Sequence, residues 1–294
     1  MSLRTTGQGS PIRAIALGAS MLAVVIAYVA MAYGLDVASV PTEVKLAGGD
    51  RPADLGVYVW PQSIDVVNAT MQLRVDFTPQ DGLRGDRIDA PDRDLRVMVS
   101  DGRNVHEVAF KAQQPMASLS TDLDLASGAF VYYPFDRYQA QLRITTAAAL
   151  AGDSAPPPLT QAVTVWQGMA GFVLTAALGK SEAGTGESSL TIDARRSDAI
   201  IFFALAAYGA MAVLGLGSFA IGALVFLRRR KLDIPLIGAL AAMVFAVPAL
   251  RTALPGAPPL GGRADMLVFL WAVLAAVIGL LLLIGTWAAE GPRP

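Results

Sequence analysis

Four long stretches without a charged residue decide what this chain can fold into. Ala14 to Leu35 is one such run of 22 residues and Ala199 to Leu227 is another of 29; Ile234 to Leu250 and Met266 to Ala289 complete the set. At 1.5 Å of rise per residue, about 20 apolar residues cross a hydrocarbon core of roughly 30 Å. Ile234 to Leu250 reaches that length once Arg251 to Leu254 sit in the interface. The pattern predicts four transmembrane helices, over residues 14–35, 198–227, 234–254 and 265–289. The 54% hydrophobic content agrees, being too high for a soluble domain of this size. Arg4 and Arg13 before the first run and the Ala-x-Ala at Ala30 to Ala32 also suit a cleaved signal peptide. The run exceeds the about 7–15 residues of a typical signal core, so it reads as an uncleaved anchor.

Orientation follows from the basic residues. Arg228, Arg229, Arg230 and Lys231 fill the short loop at 228–233, the strongest cytoplasmic mark in the chain and its topology determinant. That places the tails at 1–13 and 290–294 in the cytoplasm and residues 36–197 outside, with the turn at 255–264 on the outer side too. The expected location is an inner membrane, with the bilayer itself as the first partner. Residues 36–197 hold 20 acids against 14 bases, a net −6. An acidic external domain argues against nucleic acid and against docking on anionic headgroups. The chain has no cysteine, so this domain must be held by its own buried core.

Within 36–197 the chain reads as strand after strand. Met71, Leu73, Val75 and Phe77 alternate with polar residues, as do Tyr138, Ala140, Leu142 and Ile144, and turn-rich stretches separate these runs. Weaker alternation marks 95–99, 119–125, 163–165, 172–178 and 190–192. About eight or nine short strands and no convincing helix imply an antiparallel β-sandwich, giving an all-β external domain joined to a helical membrane part.

Catalytic and metal motifs fail on inspection. His106-Glu107 begins like a zinc-protease motif, but Phe110 stands where its second histidine belongs, and the chain has one histidine. No nucleophile elbow accompanies it. Gly179-Lys180-Ser181 ends like a phosphate-binding loop, yet Leu174 occupies the required glycine position. Asp81, Asp86, Asp89, Asp92 and Asp94 are interleaved with Arg84, Arg87, Arg93 and Arg96, which reads as a self-neutralising loop and not a calcium site. The expectation is no enzyme, no cofactor and no metal.

Two features remain. Arg251 lies ~24 Å along its helix from Pro235, near the outer edge of the hydrocarbon core, and Asp265 opens the last helix at a similar depth. A pair between them would satisfy both charges where they are expensive. Pro248 is expected to kink or loosen that helix. The turn between them carries Pro255, Gly256, Pro258 and Pro259. The second feature is Tyr133-Pro134-Phe135-Asp136-Arg137-Tyr138. Pro134 cannot continue a strand, Asp136 can tighten a turn, and Arg137 opens the alternating run. The hexapeptide is expected at the membrane-facing end of the external domain, coupling it to the 255–265 turn, with Tyr138 within crosslinking reach of residues 255–262.

Two resemblances add to this reading. Tyr133 to Asp136 resembles the F-P-F-D loop of pentameric ligand-gated channels, in which a β-sandwich presses on membrane helices. Those channels place all four helices after the sandwich, however, and no polar pore-lining helix is recognisable here. The run FAVPALRTALPGAPPLGGRADMLVFLW, Phe245 to Trp271, together with YPFDRY, resembles an uncharacterised bacterial membrane-protein family, domain-of-unknown-function family 4436, over about Ala14 to Ala289. That resemblance implies the architecture just derived and no activity. The expected role is a non-enzymatic envelope protein, either an accessory subunit of another membrane or envelope protein or a ligand-binding membrane module. The alternative is a channel-like homo-oligomer, whose subunits would meet through the Gly215 to Gly222 face.

Overall fold

A computed structural model describes residues 19, 20, 22, 23, 25–30, 33, 43–45, 53–80, 82–101, 103–148, 159–179, 186–256 and 258–290. The described residues of the first apolar run are helical apart from their gaps, and the remainder of that run lies outside the described residues. Its expected span and any cleavage site therefore fall outside them as well.

Among the described residues eleven strands follow: β1 (Glu43–Lys45), β2 (Leu55–Asp65), β3 (Thr70–Pro79), β4 (Leu95–Ser100), β5 (Val105–Phe110), β6 (Leu119–Gly128), β7 (Arg137–Ala148), β8 (Gln161–Trp166), β9 (Gly168–Met169), β10 (Phe172–Leu178) and β11 (Glu187–Arg196). They form one curled sheet in the order β1-β8-β2-β3-β6-β7-β11-β10-β9, with β4 also on β7 and β5 on β4. The curl comes from β6. Thr70 to Val75 of β3 pair with its first part; Leu125 then pairs with Ala140 of β7 and, past an irregularity, Ser127 and Gly128 pair with Gln139 and Tyr138. Inward residues of both halves then share one core, including Val57, Leu73, Val97, Leu142, Val163 and Ile192.

The expected all-antiparallel sheet needs correction. β8 runs parallel to β2, from Leu55 opposite Gln161 to Val59 opposite Val165, so the sheet is mixed. The long return from β7 brings β8 in beside β2 in the same direction, and Trp60 and Trp166 stack 4.3 Å apart at the end of that register. Such crossovers leave no local sequence signature. β2 was also hidden, because Pro61 interrupts it and its outward face carries the bulky Tyr58 and Trp60 instead of polar residues.

Among the described residues, three helices are long and apolar enough to cross a membrane: α1 (Asp198–Phe226), α2 (Ile234–Thr252), and α3 (Leu270–Glu290) with the π turn at Asp265–Phe269 that leads into it. Ser197 caps α1, its hydroxyl accepting from the Ile200 amide. α2 runs unbroken through Pro248.

α1 and α3 pack closely through small residues. A Cβ on Gly222 would lie 2.2 Å from the Gly279 carbonyl oxygen, and one on Gly215 would lie 2.5 Å from that of Ala272. Ser218 is fully buried between them and donates to the Ala276 carbonyl at 3.2 Å. The Gly215 to Gly222 face, expected as a subunit contact in the channel reading, is thus consumed inside the chain. Gly222→Val should lower stability by about 1–3 kcal/mol through overpacking, whereas Gly217→Val, with nothing within 4 Å of its Cβ position, should not. Thermal unfolding of the two variants in one detergent compares them directly.

Candidate functional site: the junction of sheet and helices

The strand β11 ends at Arg196 and α1 begins two residues later, so the covalent link between the two parts is a single residue, Ser197. A rigid link of this kind brings whatever lies at that end of the sheet against the helices. The segment between β6 and β7 lies there: a 3₁₀ turn at Phe130–Tyr132, then Tyr133 and a cis peptide bond to Pro134.

The hexapeptide divides by direction. Tyr133 is buried in one apolar cluster with Ala204, Tyr208, Met211 and Val247 of the helices, and its hydroxyl donates to the Pro255 carbonyl at 3.0 Å. Burial is the main cause that pushes its phenol up to about 12, with Asp136 and Asp265 adding to that and Arg196 and Arg251 opposing it, so the hydroxyl stays a donor. Asp136 turns the other way and is 1% exposed. Its carboxylate accepts from Arg196 Nε at 3.0 and 3.2 Å and from the Tyr138 hydroxyl at 2.6 Å. Burial, and then the hydrogen bond to Asp136, raise the Tyr138 phenol well above its ordinary range. Tyr138 sits in the sheet core, edge-on to Phe172. Tyr133, not Tyr138, is the residue that reaches the 255–265 turn. Pro134 is buried, Phe135 is 61% exposed, and Arg137 faces solvent opposite Arg195.

Arg196 lies at the centre of this junction. Its guanidinium carbon stands 4.3 Å from the Phe172 ring centroid and 5.4 Å from that of Tyr133. Its Nη1 comes so close to Gly256 that a Cβ there would lie 2.6 Å away, at a φ of +76° that already favours glycine. The sequence alone gives Arg196 no prominence beyond its place directly before the apolar run.

A second buried pair lies below the first. Arg251 Nε and Nη2 donate to Asp265 at 2.6 and 2.8 Å, and Nη2 also reaches the carbonyls of Pro258 at 2.9 Å and Pro259 at 3.1 Å. The Tyr208 hydroxyl donates to Asp265 at 2.9 Å, and the Gly261 amide does so at 3.2 Å. The π turn starting at Asp265 sets the carboxylate among these donors. A planar guanidinium can grip a carboxylate and two adjacent carbonyls at once, so it fixes the turn to both helices. Arg263 closes the arrangement by lying 4.4 Å over the Tyr132 ring. Arg228 to Lys231 are at the opposite end of α1, all exposed.

Chemically, the junction is built from two buried ion pairs and the tyrosine hydroxyls bonded to them. Asp136, Arg196, Arg251, Asp265 and the tyrosines Tyr133, Tyr138 and Tyr208 are all buried, and each is committed to a partner, while Arg137 and Arg263 are exposed. Among the described residues, no group of three or more His, Cys, Asp or Glu is placed to hold a metal. In the acidic loop Asp89, Asp92 and Asp94 pair with Arg87, Arg93 and Lys111, while Asp81 lies outside the described residues.

Tyr133→Phe removes one hydrogen bond and leaves the Pro255 carbonyl without its donor. The expected loss is about 1 kcal/mol, read from thermal unfolding, with the Tyr132→Phe variant, whose half-exposed ring keeps its stack on Arg263, unchanged.

Comparison with known proteins returns two families. That described as "Domain of unknown function (DUF4436)" matches residues 45–194, which include YPFDRY. That described as "Domain of unknown function (DUF8686)" matches residues 196–290, which include Phe245 to Trp271. The resemblance noted from the sequence is thereby divided: the strands fall to the first family and the helices to the second. The division falls at Arg195, so the Asp136–Arg196 pair joins one matched segment to the other. No curated protein matches the chain.

Proposed function

Because the chain belongs to the DUF4436 family, whose description carries no activity, we propose from its geometry that it is a non-enzymatic envelope protein whose β domain acts on, or reports to, its membrane helices. The β domain, read as a sandwich, lies outside the inner membrane. Four helices cross the membrane, and the tails and the basic turn at 228–231 are cytoplasmic. A companion membrane or envelope protein, or a ligand, engages the external domain, and the junction carries that event to the helices.

The observation that supports this most is the linked pair of buried charges, Asp136–Arg196 and Arg251–Asp265, joined through Tyr133 and the 255–265 turn. A domain that merely floated on its anchor would need one covalent link and no buried ion pairs, each of which is costly to desolvate.

Two measurements test this. The chain has no cysteine, so single introduced cysteines report topology: a membrane-impermeant maleimide on intact cells should label Ser120→Cys and spare Asp233→Cys. Native mass spectrometry after mild extraction from the host should then show the chain carrying a different protein or a defined small ligand. A closed ring of identical subunits would overturn the accessory role in favour of the channel reading.

A further inference from the structure

Where α1 ends and α2 begins, remote from the junction, the two helices and their connecting turn line an open cavity of about 570 Å³, a volume within the ordinary range of small-molecule sites. Its walls are of two kinds. Ile221, Leu224 and Leu236 form an apolar side that continues onto the outer surface of the helices, Leu224 being 40% exposed. Arg229, Arg230 and Lys231 form the rim.

The turn that makes the rim is specific in shape. Arg228 takes a left-handed φ of +54°, and the Arg229 and Arg230 amides both fold back to the Leu224 carbonyl, at 3.0 and 3.2 Å. This swings the following bases across toward the start of α2. Among the described residues none of Arg228, Arg229, Arg230 and Lys231 belongs to an ion pair. Asp233, the one acid on the cavity, occupies the N-cap position of α2 without capping any amide with its side chain. The cavity thus carries three bases against one acid.

We propose that this cavity is a binding site for an anionic phospholipid, its phosphate held by Arg229, Arg230 and Lys231 and its acyl chains lying along Ile221, Leu224 and Leu236. Charge complementarity selects the headgroup, since basic pockets between helices at the cytoplasmic face suit such lipids. The apolar wall selects a lipid over a soluble phosphate, which would have no use for it. A topological signal alone would require the charges and not a cavity with a greasy side. The proposal rests on the reading that α1 and α2 cross the bilayer with this turn at its inner face.

The test uses the full-length chain, delipidated in a neutral detergent and titrated with phosphatidylglycerol, cardiolipin or phosphatidylcholine under native mass spectrometry. The expected result is retention of the two anionic lipids at least tenfold tighter than phosphatidylcholine. Two variants follow. Arg229→Gln/Arg230→Gln/Lys231→Gln should abolish the preference. Leu224→Trp keeps every base but obstructs the apolar wall, and it should weaken anionic lipid binding at least fivefold with the topology intact. Equal retention of all three lipids, or unchanged preference in both variants, overturns the site. Displacement of the lipid by millimolar inorganic phosphate or pyrophosphate overturns the lipid assignment and leaves a soluble-anion site. The cysteine labelling above checks the topology separately, so lost selectivity with correct labelling counts against the lipid site alone.

Discussion

Replacing Asp136 with alanine is expected to cost about 3–5 kcal/mol of stability, among the largest effects of any single substitution outside the sheet core. The carboxylate is 1% exposed and the guanidinium it holds is 3% exposed. Removing the acid strands a charged Arg196 between Phe172 and Tyr133 and takes away the acceptor of the Tyr138 hydroxyl. A buried ion pair is weak support in itself, because its Coulomb energy barely offsets desolvation, but half a pair is far worse. Asp136→Ala with Arg196→Met should therefore recover most of the loss. Thermal unfolding followed by circular dichroism, together with the folded yield, distinguishes the cases. A single variant as stable as the parent would show that Arg196 reaches water, contrary to its burial.

Arg251→Ala is expected to cost a similar amount, about 3–5 kcal/mol, by a different route. Here the lost group fastens a turn as well as neutralising a charge. Asp265 keeps the Tyr208 hydroxyl and the Gly261 amide, but the Pro258 and Pro259 carbonyls lose a donor. Lysine should rescue little, because a single ammonium cannot cover the carboxylate and both carbonyls as the fork does. The turn should loosen first. Arg263, otherwise laid over Tyr132, then becomes open to trypsin, and limited proteolysis should cut there in Arg251→Ala and Arg251→Lys before global unfolding. A parent-like digestion pattern would refute the fastening role.

Much of the architecture was legible in the sequence, for reasons that differ by element. The apolar runs that became α1, α2 and α3 were readable because a span is a property of composition over consecutive residues. β3 and β7 were readable because one face of each is buried and the other wet, and period-2 alternation records that directly. β2 was not, because Pro61 breaks its pattern and the outward Trp60 is partly covered by Trp166. The parallel placement of β8 beside β2 was invisible for another reason: register between distant strands is chosen by the closed core and leaves no trace in either strand alone.

The candidate site divides in the same way. Arg251 and Asp265 stood out because charges at the edge of an apolar run are expensive and need a partner close in depth. Asp136 and Tyr133 stood out only as parts of a turn. Their partners, Arg196 and the Pro255 carbonyl, are 60 and 122 residues away, distances no local pattern spans. The sequence by itself determined where the long apolar helices and most strands form, since local composition and periodicity dictate those. Only the tertiary structure decided which tyrosine of YPFDRY enters the helices, which arginine neutralises Asp136, and that Gly215 and Gly222 serve packing within the chain. The physical reason is that each depends on the direction a side chain takes once distant segments have closed on one another.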